Sequence, residues 1–286
     1  MQLRYLAALL VLVSAPALAA PVTRTVYVTV TDGKGAPITD LTAADLAVKE
    51  GGKDREIVSV ERAQKKMRLA LAVEEKLVGD ASVRLGIFEF IKRVADYAEV
   101  SLITISISNR TLVDYTADMN KLVDAINKLT LNPNPDSNVA EGVLEVARKF
   151  SADKPERPVL VVVALSGGQA GVDPRNVLNQ VGESAMTMHS VTLAGNAGSA
   201  GVGSMNEEAG REQVLGDGPK QSGGRRVDIT VTAAVPKALQ QVADDLLSQY
   251  VVTYTLPDGV KPNKRFNVST KRKGVTLRAP TTIPEK

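Results

Sequence analysis

After residue 20, apolar positions mostly alternate or repeat with helical spacing, but the predicted strands at 68–73 and 159–165 are continuously apolar from Leu69 to Val73 and from Val159 to Leu165. Continuous runs of this length are typical of parallel strands that helices cover on both faces. Apolar residues three and four apart predict helices near 81–98, 138–150 and 236–248. This alternation of strands and helices predicts an α/β fold with a mostly parallel central sheet.

Polar residues mark the starts of two helices. Asp80 precedes the first helix as an N-cap, and Asp173-Pro174 opens another with an N-cap followed by proline at the first helical position. Residues 195–224 are rich in glycine and polar residues, which predicts a flexible loop around a short helix, Asn206 to Leu215. Further strands are predicted at 99–106, 111–116 and 188–193.

Both ends of the chain show the two-residue alternation of β-strands. Residues 24–62 predict a small β module, in which a strand at 46–49 meets the Gly51-Gly52 turn and returns through 57–60. Two alternating strands near the C-terminus predict a hairpin that pairs with this module or extends a sheet edge. The predicted organisation is a β module at 20–65, a central α/β domain at 66–256, and a C-terminal β-hairpin and tail at 257–286.

Residues 1–20 have the layout of a secretory signal peptide. Arg4 is followed by an apolar run from Tyr5 to Val13, and small residues then predict cleavage after Ala19. The apolar run is too short to span a bilayer as a permanent helix. We therefore predict that residues 1–19 are a signal peptide and that the protein is exported, periplasmic or extracellular, with no transmembrane segment in the mature chain.

The composition of the chain excludes several classes of site and partner. The 286-residue chain has no Cys, which excludes disulfides, lipidated cysteine and thiolate metal sites. Its 35 Lys and Arg are scattered and aromatic residues are 3%, so we expect no nucleic-acid partner. Leu165–Gln169 spells the signature peptide of ABC transporter ATPases, but the sequence has no P-loop motif, so we expect no nucleotide. The single histidine, His189, lies inside a predicted strand and is expected to be a packed residue; no cofactor is predicted.

The order of elements from 67 to 255 resembles a von Willebrand factor A domain. The segments Leu41–Glu50 and Leu247–Tyr254 strengthen the resemblance, because they are similar to exported bacterial VWFA-related proteins of the kind common in Acidobacteria. The resemblance implies a Rossmann-like fold with a metal-ion-dependent adhesion site. That site binds Mg²⁺ through Asp-x-Ser-x-Ser after the first strand, a Thr before the third helix and an Asp after the fourth strand, and an acidic group of the partner completes the coordination.

This chain departs from the family's metal motif. Glu74 lies at the first Asp position, but Lys76 and Val78 replace the two serines. Ser137 matches the Thr, and Gly167 replaces the last Asp. One carboxylate and one hydroxyl are too few oxygens for Mg²⁺, so we predict no metal here; Lys76 either pairs with Glu74 as an internal cation or points to solvent. The candidate partner-binding residues of this degenerate site are Glu74, Lys76, Ser137, Ser166 and Gly167.

These observations predict an exported, non-catalytic protein-binding or scaffold module with an unidentified protein partner and no metal. One alternative is a hydrolase using Glu74, Glu75 or Asp80 near the strand ends, since paired carboxylates can perform acid–base chemistry. Adjacent strand residues point to opposite faces, however, so the two glutamates should diverge. A second alternative is a metal-dependent adhesin with rearranged ligands such as Asp173, although the N-cap role already engages that carboxylate.

Overall fold

The structure is a computed structural model, which describes residues 22–130, 137–165, 171–194 and 205–285. The candidate residues Ser166 and Gly167, the predicted signal peptide and the segment 195–204 lie outside these ranges. The strands are β1 (Val22–Asp32), β2 (Leu46–Glu50), β3 (Lys53–Arg55), β4 (Ile57–Arg62), β5 (Met67–Glu74), β6 (Ala98–Ile105), β7 (Arg110–Thr116), β8 (Pro158–Leu165), β9 (Thr187–Leu193), β10 (Arg226–Ile229), β11 (Tyr250–Leu256), β12 (Phe266–Thr270) and β13 (Val275–Arg278). The α-helices are α1 (Ala81–Val94), α2 (Met119–Asn127), α3 (Val139–Asp153), α4 (Pro174–Glu183), α5 (Met205–Ser222) and α6 (Val235–Leu247).

A six-stranded sheet forms the centre of the molecule, in the order β10-β9-β8-β5-β6-β7. Neighbouring strands are parallel except for β6 and β7, which are antiparallel. The two continuous apolar runs pair with each other, with Leu69 opposite Val159 and Val73 opposite Val163. The predicted α/β class with a mostly parallel central sheet is therefore confirmed.

Helices cover both faces of this sheet. On one face α1, α2 and α6 bury apolar side chains such as Phe90 and Leu239 against the strands. On the other face α3, α4 and α5 bury side chains such as Phe150 and Val214. No helix in the described ranges has the length and apolar character needed to cross a membrane.

The predicted N-caps are confirmed. The Asp80 carboxylate accepts a hydrogen bond from the backbone N–H of Ser82 at 2.7 Å and begins α1. Asp173 accepts from the backbone N–H of Arg175 at 2.9 Å and begins α4, with Pro174 as the first helical residue. These caps satisfy backbone donors that the first turn of a helix leaves without partners.

Two smaller sheets form a β-sandwich from both ends of the chain. A four-stranded sheet has the order β13-β1-β11-β4, and a three-stranded sheet has the order β12-β2-β3. They share an apolar core that includes Val28, Val48, Tyr254 and Phe266. The central domain is therefore inserted between the N-terminal and C-terminal parts of the sandwich.

Four strands, β4, β11, β12 and β13, pair differently from the sequence interpretation. Strand β11, which the predicted boundaries placed in the 66–256 domain, pairs with β1 and β4 in the sandwich. The C-terminal strands do not form a hairpin within the described part of the chain, because β12 pairs with β2 and β13 pairs with β1. The partner of β2 after the glycine turn is β3, and β4 joins the other sheet.

The region after β9 also differs from the expectation. Helix α5 extends over 18 residues rather than the ten from Asn206 to Leu215, and it contains Pro219. Strand β10 follows and pairs in parallel with β9, which no apolar run in the sequence had indicated. Its four residues, Arg226 to Ile229, include two charged side chains, so the pattern of a buried strand is missing.

Candidate functional site

The candidate site lies at the carboxyl edge of the central sheet. Glu74 ends β5 and Leu165 ends the neighbouring parallel strand β8, while Ser137 lies just before α3. The hydroxyl of Ser137 donates a hydrogen bond to Oε1 of Glu74, and the backbone N–H of Leu165 donates to Oε2 at 2.7 Å. Glu74 is 0% exposed and Ser137 is 4% exposed. The structure thus brings together two of the predicted site residues.

A buried arginine from α5 supplies the positive charge at this site. Arg211 is 0% exposed, and its Nη2 donates to Oε2 of Glu74 at 2.7 Å and to the carbonyl oxygen of Leu165 at 2.5 Å. Its Nη1 donates to the Ser137 hydroxyl at 3.3 Å. Taking an unpaired carboxylate out of water is strongly unfavourable, and this guanidinium gives the buried Glu74 side chain a partner of opposite charge.

The sequence indicated Lys76 as a possible partner of Glu74. The structure instead pairs Glu74 with Arg211. Lys76 lies half-buried in the turn after β5. Val78, at the second position where the family has a serine, is fully buried in the apolar core. Neither side chain supplies an oxygen to the site.

The residues at this sheet end do not fit the Mg²⁺ ion that the family resemblance implies. A divalent ion would need several oxygen ligands and no neighbouring cation. Here the oxygens of Glu74, Ser137 and Leu165 already accept from a guanidinium. In the described part of the chain, no group of three or more His, Cys, Asp or Glu side chains is arranged to hold a metal ion.

The carboxylates considered for a hydrolase have separate sets of partners. Glu75 is buried on the side of β6, where it accepts from the Thr104 hydroxyl at 2.9 Å and from Nη2 of Arg110 at 2.7 Å. Asp80 caps α1 and accepts from the Thr232 hydroxyl at 2.5 Å, and this bond holds its pKa below the usual range. The structure therefore shows no carboxylic acid and carboxylate facing a common cleft here, and no observation favours the hydrolase alternative.

Two further sequence candidates have structural roles. Asp173 is engaged by Arg175, whose backbone N–H and side chain lower its pKa, so it caps α4. His189 lies inside β9 and is fully buried, and its Nδ1 accepts from the backbone N–H of Arg225 at 3.2 Å. Burial lowers the pKa of His189 to about 4, so the imidazole is neutral at pH 7.

Sequence reasoning missed Arg211, although one signal for it was present. Arg211 precedes Val214 by three residues and Leu215 by four, which puts all three on one face of a helix. Val214 and Leu215 are both buried in the core. Charged side chains are rarely fully buried without a partner, and the partner of Arg211 is Glu74.

Comparison with known proteins finds structural similarity to solved structures at low sequence identity. No model of a protein family matches the chain, and no curated protein sequence does. The proximal thread matrix protein 1 from the mussel byssus aligns at 11% identity and a TM-score of 0.49 over 65% of this chain. A von Willebrand factor type A protein from Catenulispora acidiphila aligns at 11% identity and a TM-score of 0.45 over 93% of this chain.

The coverage of the matched proteins varies. The alignment spans 49% of the mussel protein and 74% of the Catenulispora protein. It spans 98% of an aerotolerance-related membrane protein from Bacteroides fragilis, at 12% identity, a TM-score of 0.43 and 62% of this chain. The chain thus corresponds to about half of the mussel protein that it matches.

Proposed function

We propose that this chain is an exported, non-catalytic protein-binding or scaffold module whose sheet-end site works without a metal ion. The observation that carries the proposal is the ion pair of Glu74 with Arg211, which provides a cation from within the chain. The layout of residues 1–20 supports export, to the periplasm or the extracellular space. The resemblance of residues 67–255 to a von Willebrand factor A domain supports protein binding over catalysis.

The partner contacts the surface above the site, because the buried groups are out of its reach. Glu74, Ser137 and Arg211 are at most 4% exposed. Ile107 is 51% exposed and follows Ser106, whose carbonyl oxygen accepts from the backbone N–H of Asn138. Apolar side chains form the centre of many protein interfaces, and Ile107 offers one at this edge of the sheet. The proposed contact surface consists of Ile107 and the half-buried Lys76.

Metal independence is tested by thermal unfolding of the mature protein. A bound ion raises stability by RT ln(1 + [L]/Kd), which is about 2.7 kcal/mol at a hundredfold excess over Kd. We expect no change in Tm with millimolar Mg²⁺ or Mn²⁺, or with EDTA. A rise that depends on metal and is lost in Glu74→Ala would contradict the proposal and favour the metal-dependent adhesin.

Partner binding is tested by co-purification from periplasmic and extracellular fractions. We expect the same partner to be captured in EDTA and in Mg²⁺, and to be lost with Ile107→Asp. Tyr97→Asp is the matched control, since Tyr97 is 54% exposed but lies at the opposite edge of the sheet, just before β6. Equal capture by both variants would place the binding surface elsewhere, and the absence of any specific partner would argue against the module's proposed role.

A further inference from the structure

We infer that the guanidinium of Arg211 takes the place of a metal ion at this sheet end, so that the site carries its cation as part of the chain. The inference rests on the proposed function, because it explains how the site works without metal. It begins from the disagreement between the family's metal chemistry and the residues present at the end of β5 and β8.

Oxygen atoms from three separate segments converge on one positive group. They are the Glu74 carboxylate at the end of β5, the Ser137 hydroxyl before α3 and the Leu165 carbonyl at the end of β8. Such convergence is the arrangement that a bound ion imposes on its ligands. A guanidinium supplies one positive charge, half that of Mg²⁺, which balances the single carboxylate of Glu74, and it does so with directional donors.

The position of the Arg211 guanidinium depends on the position of α5, the helix that carries it. Val214 and Leu215 are the described apolar side chains that α5 adds to the core. The helix also contains Gly216, Gly218 and Pro219, which are poor helix formers. The helix is also held by the Ser190 hydroxyl, which donates to the carbonyl oxygen of Leu215 at 2.8 Å, and by the ion pair of Glu212 with Arg226 at 2.7 Å. The buried pair with Glu74 is the contact that ties α5 to the end of β5. A chelator can remove a metal ion from a site, whereas this cation leaves only when α5 moves.

The test is to remove the guanidinium and supply a cation from solution. Arg211→Ala leaves a buried carboxylate, a hydroxyl and a carbonyl oxygen around a space of the size of the lost group. We expect millimolar guanidinium chloride, far below its denaturing range, and millimolar MnCl₂ each to raise the Tm of this variant by about 3 °C or more. The native protein should respond to neither cation.

A matched control uses another buried arginine without a carboxylate partner. Arg157 is 3% exposed and donates to the carbonyl oxygens of Lys65 and Leu246 and to the amide oxygen of Gln249. Because these acceptors are neutral, MnCl₂ should not stabilise Arg157→Ala. The double variant Arg211→Ala/Glu74→Gln should also lose the response to MnCl₂.

The outcomes separate this inference from the proposed function. If folded Arg211→Ala responds to neither cation, Arg211 is a packing residue and the inference is wrong, while the metal independence of the native protein stands. If Arg211→Ala does not fold, its refolding yield with and without the two cations gives the same comparison. Arg211→Lys keeps a positive charge and should stay insensitive to MnCl₂; a response equal to that of the alanine variant would contradict the assignment.

Discussion

Two fully buried glutamates have the same kinds of donors and lie in different parts of the molecule. Glu50, in the sandwich, accepts from the Arg24 side chain at 2.8 Å, from the Tyr254 hydroxyl at 2.6 Å and from the backbone N–H of Asn263 at 2.7 Å. Glu74, in the central domain, also accepts from one arginine, one hydroxyl and one backbone N–H. Each site thus neutralises its carboxylate with an identical set of groups.

The difference is the element that carries the arginine. Arg24 lies on β1, which is fixed between β11 and β13, and its side chain is 13% exposed. Arg211 lies on α5 with a side chain that is 0% exposed. The Arg24–Glu50 pair therefore lies between strands that backbone hydrogen bonds already hold together. The Arg211–Glu74 pair instead connects a helix to the end of a strand. The same donor chemistry is structural in one place and defines the candidate site in the other.

The largest expected effect comes from removing each arginine. Arg211→Met should lower the free energy of unfolding by about 3–5 kcal/mol, because it leaves a buried carboxylate without a counter-ion. Arg24→Met should lower it by about 1–3 kcal/mol, since the Arg24 side chain is 13% exposed and its removal lets water reach the Glu50 carboxylate. Urea denaturation measures both values. Equal losses would mean that the two sites do not differ in the way described.

Removing both partners of the site in the central domain tests whether the pair acts as a unit. A buried ion pair replaced by apolar groups is often nearly neutral, so Arg211→Met/Glu74→Leu should lose less stability than the sum of its single variants. We expect a coupling free energy of about 2 kcal/mol from the double-mutant cycle. A cycle with Arg24→Met/Glu50→Leu should give a smaller value, and additive losses at Arg211 and Glu74 would argue against a direct interaction.

His189 differs from the two buried glutamates, because it is a buried titratable group that stays neutral instead of pairing with an opposite charge. Its Nε2 has no hydrogen-bond partner among the described residues, and Asp245, Arg225 and Arg278 contribute smaller electrostatic effects around it. Its pKa is about 4 in the folded state against an ordinary value of 6.5, so the unfolded chain binds the proton more tightly. The free energy of unfolding should therefore fall as pH is lowered from 6.5 to 4, by up to about 3 kcal/mol from this residue.

This pH dependence is measured by urea denaturation of the native protein and His189→Gln at several pH values in that interval. The difference between the two proteins removes the contribution of the carboxylates that titrate near pH 4. We expect the variant to have a flatter profile. Parallel profiles for the two proteins would show that His189 does not titrate in the predicted way.

The smallest expected effect is that of Lys76→Ala, which tests the alternative cation. Because the ion pair of Glu74 is with Arg211, losing Lys76 should change the free energy of unfolding by less than about 0.5 kcal/mol. Thermal and urea unfolding measure it. A loss comparable to that of Arg211→Met would restore Lys76 as the counter-ion.

The sequence predicted the strands and helices correctly where the hydrophobic pattern and the capping residues point to the same element. The continuous runs at 68–73 and 159–165 are neighbouring parallel strands, and Asp80 and Asp173 cap the helices predicted to follow them. The alternation of apolar and polar residues identified the strands of the sandwich, but each of these strands can pair with a segment far away in the chain. That is why the predicted 66–256 boundary could include β11, which pairs with β1, since a strand's pattern of side chains does not identify its partner.

The candidate site could be predicted in part. Glu74 was found at the end of a predicted strand and Ser137 from the resemblance to the family's metal motif, and the structure shows them in contact. Arg211 lies within the predicted helix Asn206 to Leu215, but it was missed because a single arginine on a helix is usually solvated. Its burial follows only from the tertiary position of Glu74, which local patterns do not contain.

The insertion of the central domain within the sandwich sets an order of assembly. Strand β1 pairs with β11 and β13, so both of its edges stay open until the C-terminal part of the chain is present, whereas β2 can pair at once with β3 and gains β12 later. The six strands of the central sheet lie between residues 67 and 229, so that sheet does not depend on the C-terminal strands. An open strand edge can pair with another chain, so the C-terminal strands protect β1 from aggregation as well as complete the sandwich.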